Sequence, residues 1–498
     1  MPSLALLWAY ASVLLAGALL WTGVLAARRT LLRRTPAAPG AGSACDAAGG
    51  ADADAAGPPG RAGLLARVLL LGPLGITLSM LALHLAGLRF SLAAICVPWW
   101  LAALVFRREL WATLKPAAAC RSVPRRVLLV LAGGLFALAL VVGLRTPVYS
   151  GDGLDNVALA ARVFETSGSF DFELLARLPG VGGTSYPPLV AANEALVFMA
   201  SGEQRARDIK PLFALAWLAY LLLVIELAFR HLPPRHAWLA ALPFLTLPLA
   251  GSHAVIGYTD LHLTALLLLL CLELRDPVAL ALVAGACALT KNEGLVVAGA
   301  SGLMLLLPGP WLRSGARSSA RTLAVALCLL IPLASAWPLL KAWHGLHSVH
   351  MQAGGELSLG ELLPRLSNIA RAFGARLISS GQARYSVHAP LALLTAGLAL
   401  AAARARGCGA LLCWLGVFVA HVGLYAAVLV RHPLGSDWQL NVAAGRLMLH
   451  TTPWLLLLLL LSLKRLSAGR LTESAGPVRD TVCGSPTTSL GRPRRAIR

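Results

Sequence analysis

The chain has 498 residues, 57% of them hydrophobic and only 13% charged, which is too little polar surface to coat a water-soluble globule of this length. An ordinary soluble enzyme is excluded, and lipid is implied as the main solvent. The net charge of +21 sits in short basic clusters at the ends of apolar runs, with no aromatic-interleaved stripe, so it argues for membrane orientation and against a nucleic-acid partner.

Crossing a hydrocarbon core of about 30 Å takes about 20 apolar residues as a helix. Runs near that length, rich in Leu and Ala and without period-two alternation, predict an all-α integral membrane protein rather than a barrel. In chain order the expected helices are 4–26, 68–85, 90–106, 126–143, 211–229, 237–253, 261–274, 278–290, 294–308, 322–343, 389–403, 410–430 and 448–463, about 13 transmembrane helices. The first has no basic residue before it and Arg28-Arg29 and Arg33-Arg34 after it, so it reads as an uncleaved span with its N-terminus outside. Further basic pairs at Arg107-Arg108, Arg125-Arg126, Arg404/Arg406 and Lys464-Arg465 fall in alternate loops, which puts the C-terminus in the cytoplasm. The expected location is the plasma (inner) membrane, multi-pass.

The organisation expected from these runs is a first helix and basic flank (1–34), an Ala/Gly/Pro-rich disordered cytoplasmic linker (35–60) and an additional transmembrane hairpin (61–125). A further block of helices and loops (126–310), a C-terminal transmembrane region (311–470) and a disordered cytoplasmic tail (471–498) follow. The nine cysteines contain no C-x-x-C pair, so no disulfide or thiolate metal site is implied. Three outside loops, near 144–210, 344–388 and 431–447, are long enough to hold a site.

The first of these opens with Gly151-Asp152-Gly153-Leu154-Asp155-Asn156. Asp152 and Asp155 read either as caps of the following helix or as acid–base groups, with Asp152 the candidate general base. Tyr186-Pro187-Pro188-Leu189 is extended and starts a short apolar helix, carrying Asn193 and Glu194, that is expected to lie on the outer leaflet. Next come His253 and Gly257-Tyr258-Thr259-Asp260, where Asp260 is again either a cap or a carboxylate for catalysis. With Asp152 it could hold a divalent cation such as Mg or Mn on a sugar phosphate. Thr290-Lys291-Asn292-Glu293 is a charged turn between two short apolar runs, and charge at such depth costs about 2.5–3.5 kcal/mol per group. His344, His347 and His350 recur every three residues and read as an interfacial cluster more than a zinc site. Lys341, Arg431 and Arg446 lie at outer helix ends; Arg446 has no acid near it in sequence.

Taken in order, Gly-Asp-Gly-Leu-Asp-Asn (151–156), Tyr-Pro-Pro-Leu (186–189), Gly-Tyr-Thr-Asp-Leu (257–261) and Thr-Lys-Asn-Glu-Gly (290–294) resemble the GT-C superfamily of polyprenyl-phosphate-sugar-dependent glycosyltransferases. Protein O-mannosyltransferases and the aminoarabinose transferases belong to this superfamily. The resemblance covers roughly 126–310 and implies a GT-C-like core with an outer-face loop and interfacial-helix region. It also implies inverting transfer of a sugar from a polyprenyl-phosphate donor to an extracytoplasmic acceptor, with the active site on the outer face. On it, Asp152 is the base, and Asp155, Asp260 and Tyr186 position the acceptor or a cation. Lys291, Arg446 and Arg162 bind the lipid phosphate, with Glu293 and His253 in support. Val157 and Ala160 stand where bacterial members often carry Trp and Lys. Partners on this reading are the lipid-linked sugar, the bilayer and a glycan, lipid or protein acceptor. The competing classes are a transporter or flippase, for which the sequence offers no internal repeat, and an inactive GT-C-like scaffold.

Overall fold

The computed structural model describes residues 4–33, 60–115, 122–147, 156–178, 186–306, 320–346, 388–406 and 444–474, with scattered positions between 360 and 425. Every regular element among them is a helix. These are α1 (Leu4–Arg33), α2 (Arg61–Leu85), α3 (Leu92–Val105), α4 (Arg107–Leu114), α5 (Val123–Arg145), α6 (Leu159–Ser167), α7 (Phe172–Arg177), α8 (Leu189–Ser201) and α9 (Lys210–His231). The chain continues through α10 (Pro234–Leu245), α11 (Pro248–Ile256), α12 (Asp260–Glu273), α13 (Pro277–Thr290), α14 (Asn292–Leu306), α15 (Ala320–Trp343), α16 (His388–Arg406) and α17 (Ala444–Ser474).

Six of these helices are long and apolar enough to cross a membrane, or seven if the bent pair α10–α11 is counted as one span. The chain is therefore a multi-pass helical membrane protein, with fewer full-length spans among the described residues than the 13 expected. Part of the difference is that the expected helix 410–430 lies partly outside the described residues, and the rest lies in length. Helices α12, α13 and α14 have 14, 14 and 15 residues, and at about 1.5 Å per residue each falls short of a core about 30 Å thick. The single helix expected over 237–253 is broken by 49° between α10 and α11. Pro248 sits at the first position of α11, where a missing N–H is harmless, but its ring prevents α10 from running straight on. The linker and tail expected at 35–60 and 471–498 lie outside the described residues, except Gly60 and residues 471–474, which continue α17.

A larger correction concerns α8. Leu189–Phe198 is buried throughout, so this helix is enclosed by α1, α2 and α6 instead of lying on a leaflet. A helix that is apolar on every side has no polar face to offer water and belongs inside. Asn193 reconciles its amide with this interior by donating to the Leu189 carbonyl at 2.7 Å and the Pro73 carbonyl at 3.0 Å.

Two poles are defined by charged contacts. At one, Arg67 of α2 pairs with Glu273 at the end of α12, Arg125 of α5 pairs with Glu226 of α9, and Arg28 of α1 approaches Asp276 at 3.9 Å. The N-termini of α2 and α5 and the C-termini of α1, α9 and α12 therefore share this end. At the other pole lie Asp260, Lys291 and Arg446.

Helices α1 and α2 cross in close contact. A Cβ at Gly72 would collide with the Val13 carbonyl, and one at Gly17 with the Val68 carbonyl, while Gly23 has open space around it. In lipid, close approach of this kind is a main source of helix–helix affinity. Gly72→Leu is expected to destabilise the protein by about 1–3 kcal/mol or more through overpacking, whereas Gly23→Leu should leave it unchanged. Thermal unfolding of the two variants in detergent checks this, and equal melting temperatures would contradict the close crossing.

Candidate functional site

Two chain reversals and one helix build the second pole. Gly257, at φ +98°, ends α11 in the left-handed conformation, which a side chain would strain. The chain then turns through Tyr258 and Thr259 into α12. Lys291 is extended between α13 and α14, and the chain doubles back so tightly that a Cβ on Gly294 would strike the Cys287 carbonyl. Helix α17 brings in Arg446 and, one turn later, His450 on the same face.

These elements converge on Asp260, whose side chain is fully buried. Its Oδ1 accepts from the Lys291 ammonium at 2.8 Å and its Oδ2 from Arg446 Nε at 3.1 Å. His450 Nε2 lies 3.2 Å from Oδ1, close but without hydrogen-bond alignment. Asp260 does not cap its own helix: it is the first residue of α12, and its carboxylate is turned to these cations. Arg446 thus has its acid partner 186 residues away in sequence.

Around this centre lie half-buried groups. Glu293 is 3.8 Å from Lys291 and 30% exposed. The Tyr186 ring stands 5.8 Å from the Lys291 ammonium and the Tyr258 ring 5.1 Å from the Arg446 guanidinium, both cation–π arrangements. Buried His253 packs its ring against Tyr258 at 4.8 Å. Behind Asp260, the Tyr425 hydroxyl lies 2.8 Å from His450 Nδ1, and Trp454 donates to His421 Nδ1 at 3.0 Å. Because Nε2 of His450 faces a carboxylate, the natural tautomer carries its proton there and accepts from Tyr425 at Nδ1.

The structure therefore brings Asp260, Lys291, Glu293, Arg446, Tyr186 and His253 into one neighbourhood. Asp152 and Asp155 lie outside the described residues, as do His347, His350 and Arg431. Arg162 is not in this group: its Nη2 reaches the Gln204 carbonyl at 3.5 Å and its charge faces Glu194, with α6 holding it against α8. Val157 and Ala160 are buried beside it. Both Asp260 oxygens accept from ammonium and guanidinium donors, and Asp152, expected to share a divalent cation with it, lies outside the described residues. No group of three or more His, Cys, Asp or Glu side chains is arranged for a metal among the described residues.

Sequence reasoning missed His450, although its spacing from Arg446 places both on one helical face. It also missed Lys210. The buried ammonium of Lys210 donates to the Val255 carbonyl at 2.6 Å and the Ile256 carbonyl at 3.0 Å, with the Pro147 carbonyl at 3.4 Å. A cation there satisfies the last carbonyls of α11 and complements its dipole, and so fixes the turn that presents Tyr258 and Asp260.

Compared with family models, with curated proteins and with solved structures, the chain matches none, so the chemistry of this site is read from its own geometry.

Removing the carboxylate's charge would leave Lys291 and Arg446 buried against a neutral amide. Asp260→Asn is expected to lower stability by about 3–5 kcal/mol, as when one partner of a buried ion pair is lost, read as a fall in unfolding temperature of the purified protein. A wild-type melting curve would show that Asp260 does not hold the cluster together.

Proposed function

We propose that the chain is a GT-C-like membrane glycosyltransferase that moves a sugar from a polyprenyl phosphate to an extracytoplasmic acceptor. The observation that supports this most is the pair of cations, Lys291 and Arg446, fixed side by side on one buried carboxylate at the end of the bundle opposite the basic pole. By the positive-inside rule the pole of Arg28, Arg67 and Arg125 is cytoplasmic, so the cation pair faces the outer leaflet, where a lipid phosphate would lie.

On this reading the leaving group is a polyprenyl phosphate, whose negative charge grows as the anomeric bond breaks. An ammonium and a guanidinium held in place beforehand stabilise that charge without having to reorganise. Asp260 is a positioning residue that sets the spacing of the two cations. Tyr186 and Tyr258 flank the cations, while Glu293, 30% exposed, lies at the edge of the cluster. Asp152 would take the proton from the acceptor hydroxyl or amine as the new bond forms on the opposite face of the sugar, giving inversion. This part of the proposal rests on the resemblance of 151–156 to the GT-C loop. No divalent ion is invoked at Asp260.

Cells lacking the chain are expected to accumulate the lipid-linked sugar that it consumes. Restoring the wild type should clear that intermediate, whereas Asp152→Asn should insert normally and transfer about 10²–10⁴-fold more slowly, the usual worth of a general base. Chromatography of extracted lipids measures this. An unaltered lipid profile on deletion would remove the transferase reading, and full activity of the Asn variant would remove Asp152 from the base role.

A further inference from the structure

A second polar centre lies inside the same end of the bundle, and the mechanism above does not use it. Glu194 is in the middle of α8 and only 1% exposed. Among the described residues, neither of its carboxylate oxygens has a hydrogen-bond partner. The charged and titratable groups facing it are Arg162 on α6 and Lys210 on α9, with Tyr10 of α1, whose hydroxyl donates to the Asp208 carbonyl at 2.8 Å. Helices α2, α3 and α13 also touch α8 but bring no charged group to Glu194 among the described residues. Arg162 directs its Nη2 to the Gln204 carbonyl while its buried Nε has no partner among the described residues, and Lys210 spends its donors on the carbonyls of the Asp260 turn.

An ionised carboxylate that is buried and has no hydrogen-bond donor on it carries a desolvation cost that the charges of Arg162 and Lys210 offset only in part. A bound metal ion is no remedy, because two cations already face the site. Protonation is, because it removes the charge that has to be solvated. In agreement, burial pushes the Glu194 carboxyl well above its ordinary range, with the nearby Arg162 and Lys210 acting in the opposite sense.

We propose that Glu194 is a proton-binding site coupled through Lys210 to the turn that carries Asp260. In the state described here the carboxyl keeps its proton, and Lys210 grips the Val255 and Ile256 carbonyls. Loss of the proton to solvent leaves a buried anion beside an ammonium that has only neutral partners, and the anion draws Lys210 off the turn. Position 194 thus links proton occupancy to the placement of the Asp260 cluster. The proposal stands apart from the transferase reading, since neither its geometry nor its readout involves sugar transfer.

The test uses full-length protein in nanodiscs. Infrared difference spectra between two buffers that both lie above the ordinary carboxylate range but straddle the titration of Glu194 should contain the carbonyl stretch of a protonated carboxylic acid, and Glu194→Gln should abolish it. The sign for stability follows from a carboxyl whose native affinity for the proton exceeds that of the unfolded chain. Its contribution is fully present below the ordinary glutamate range and is lost as pH rises toward the native titration. Wild-type melting temperature should therefore fall with rising pH over that interval, and Glu194→Gln should flatten this component. At one alkaline pH, amide exchange over 257–260 should be faster in the wild type than in Glu194→Gln. Identical infrared spectra, or equal exchange at the turn, would overturn the proposal. So would a Gln variant that fails to fold, because a neutral acid is closely mimicked by its amide.

Discussion

The second pole is organised by one constraint, the burial of Asp260 at the start of a helix too short to carry it to water. A lone carboxylate in such surroundings would have to give up its charge or be surrounded by donors. Lys291 and Arg446 supply those donors from distant parts of the chain, so the positions of α12, the α13–α14 turn and α17 become interdependent. The tight reversal at Gly294 and the left-handed Gly257 follow from the same demand, since each aims a charged residue at a common point. Lys210 completes the frame from behind by satisfying carbonyls that α11 leaves open.

This dependence explains which parts of the molecule are legible in its sequence. Apolar length and composition suffice for the existence of helices, and the expected segments 4–26, 126–143, 211–229 and 322–343 correspond to α1, α5, α9 and α15 with small shifts at their ends. The charged turn at 290–293 is equally visible, because Lys and Glu between two apolar runs have no cheap place in lipid. The break at Pro248 was within reach too, being local stereochemistry.

Pairing was not legible, because the apolar runs around Asp260 and Arg446 say nothing of which helices are neighbours. Asp260 has a helix-capping role as a plausible local explanation, and nothing near Arg446 reveals that its acid is 186 residues away. The enclosure of α8 was missed for a different reason. Asn193 and Glu194 suggest a wet side, but the Asn193 amide donates to backbone carbonyls within the protein and, among the described residues, Glu194 is left without a donor, so neither marks contact with water. Apolarity around the whole circumference was the better guide.

The two poles bury charge in different ways, and the difference bears on what each can do. At the basic pole each ion pair joins two segments, Arg67 with Glu273, Arg125 with Glu226 and Arg28 with Asp276, and Arg230 also faces Glu273 and Glu226. Such clamps tie helix ends together and are complete in themselves. At the other pole three basic side chains converge on a single carboxylate, and the cluster reaches a half-buried rim through Arg446, 12% exposed, and Glu293. A pairwise clamp gains nothing from a second anion. A convergent cluster with aromatic flanks and a partly open edge already has its cations fixed before any ligand arrives, so an incoming phosphate would meet them without the entropy cost of assembling them. That difference in arrangement, more than the number of charges, is why we propose binding at the Asp260 pole and anchoring at the other.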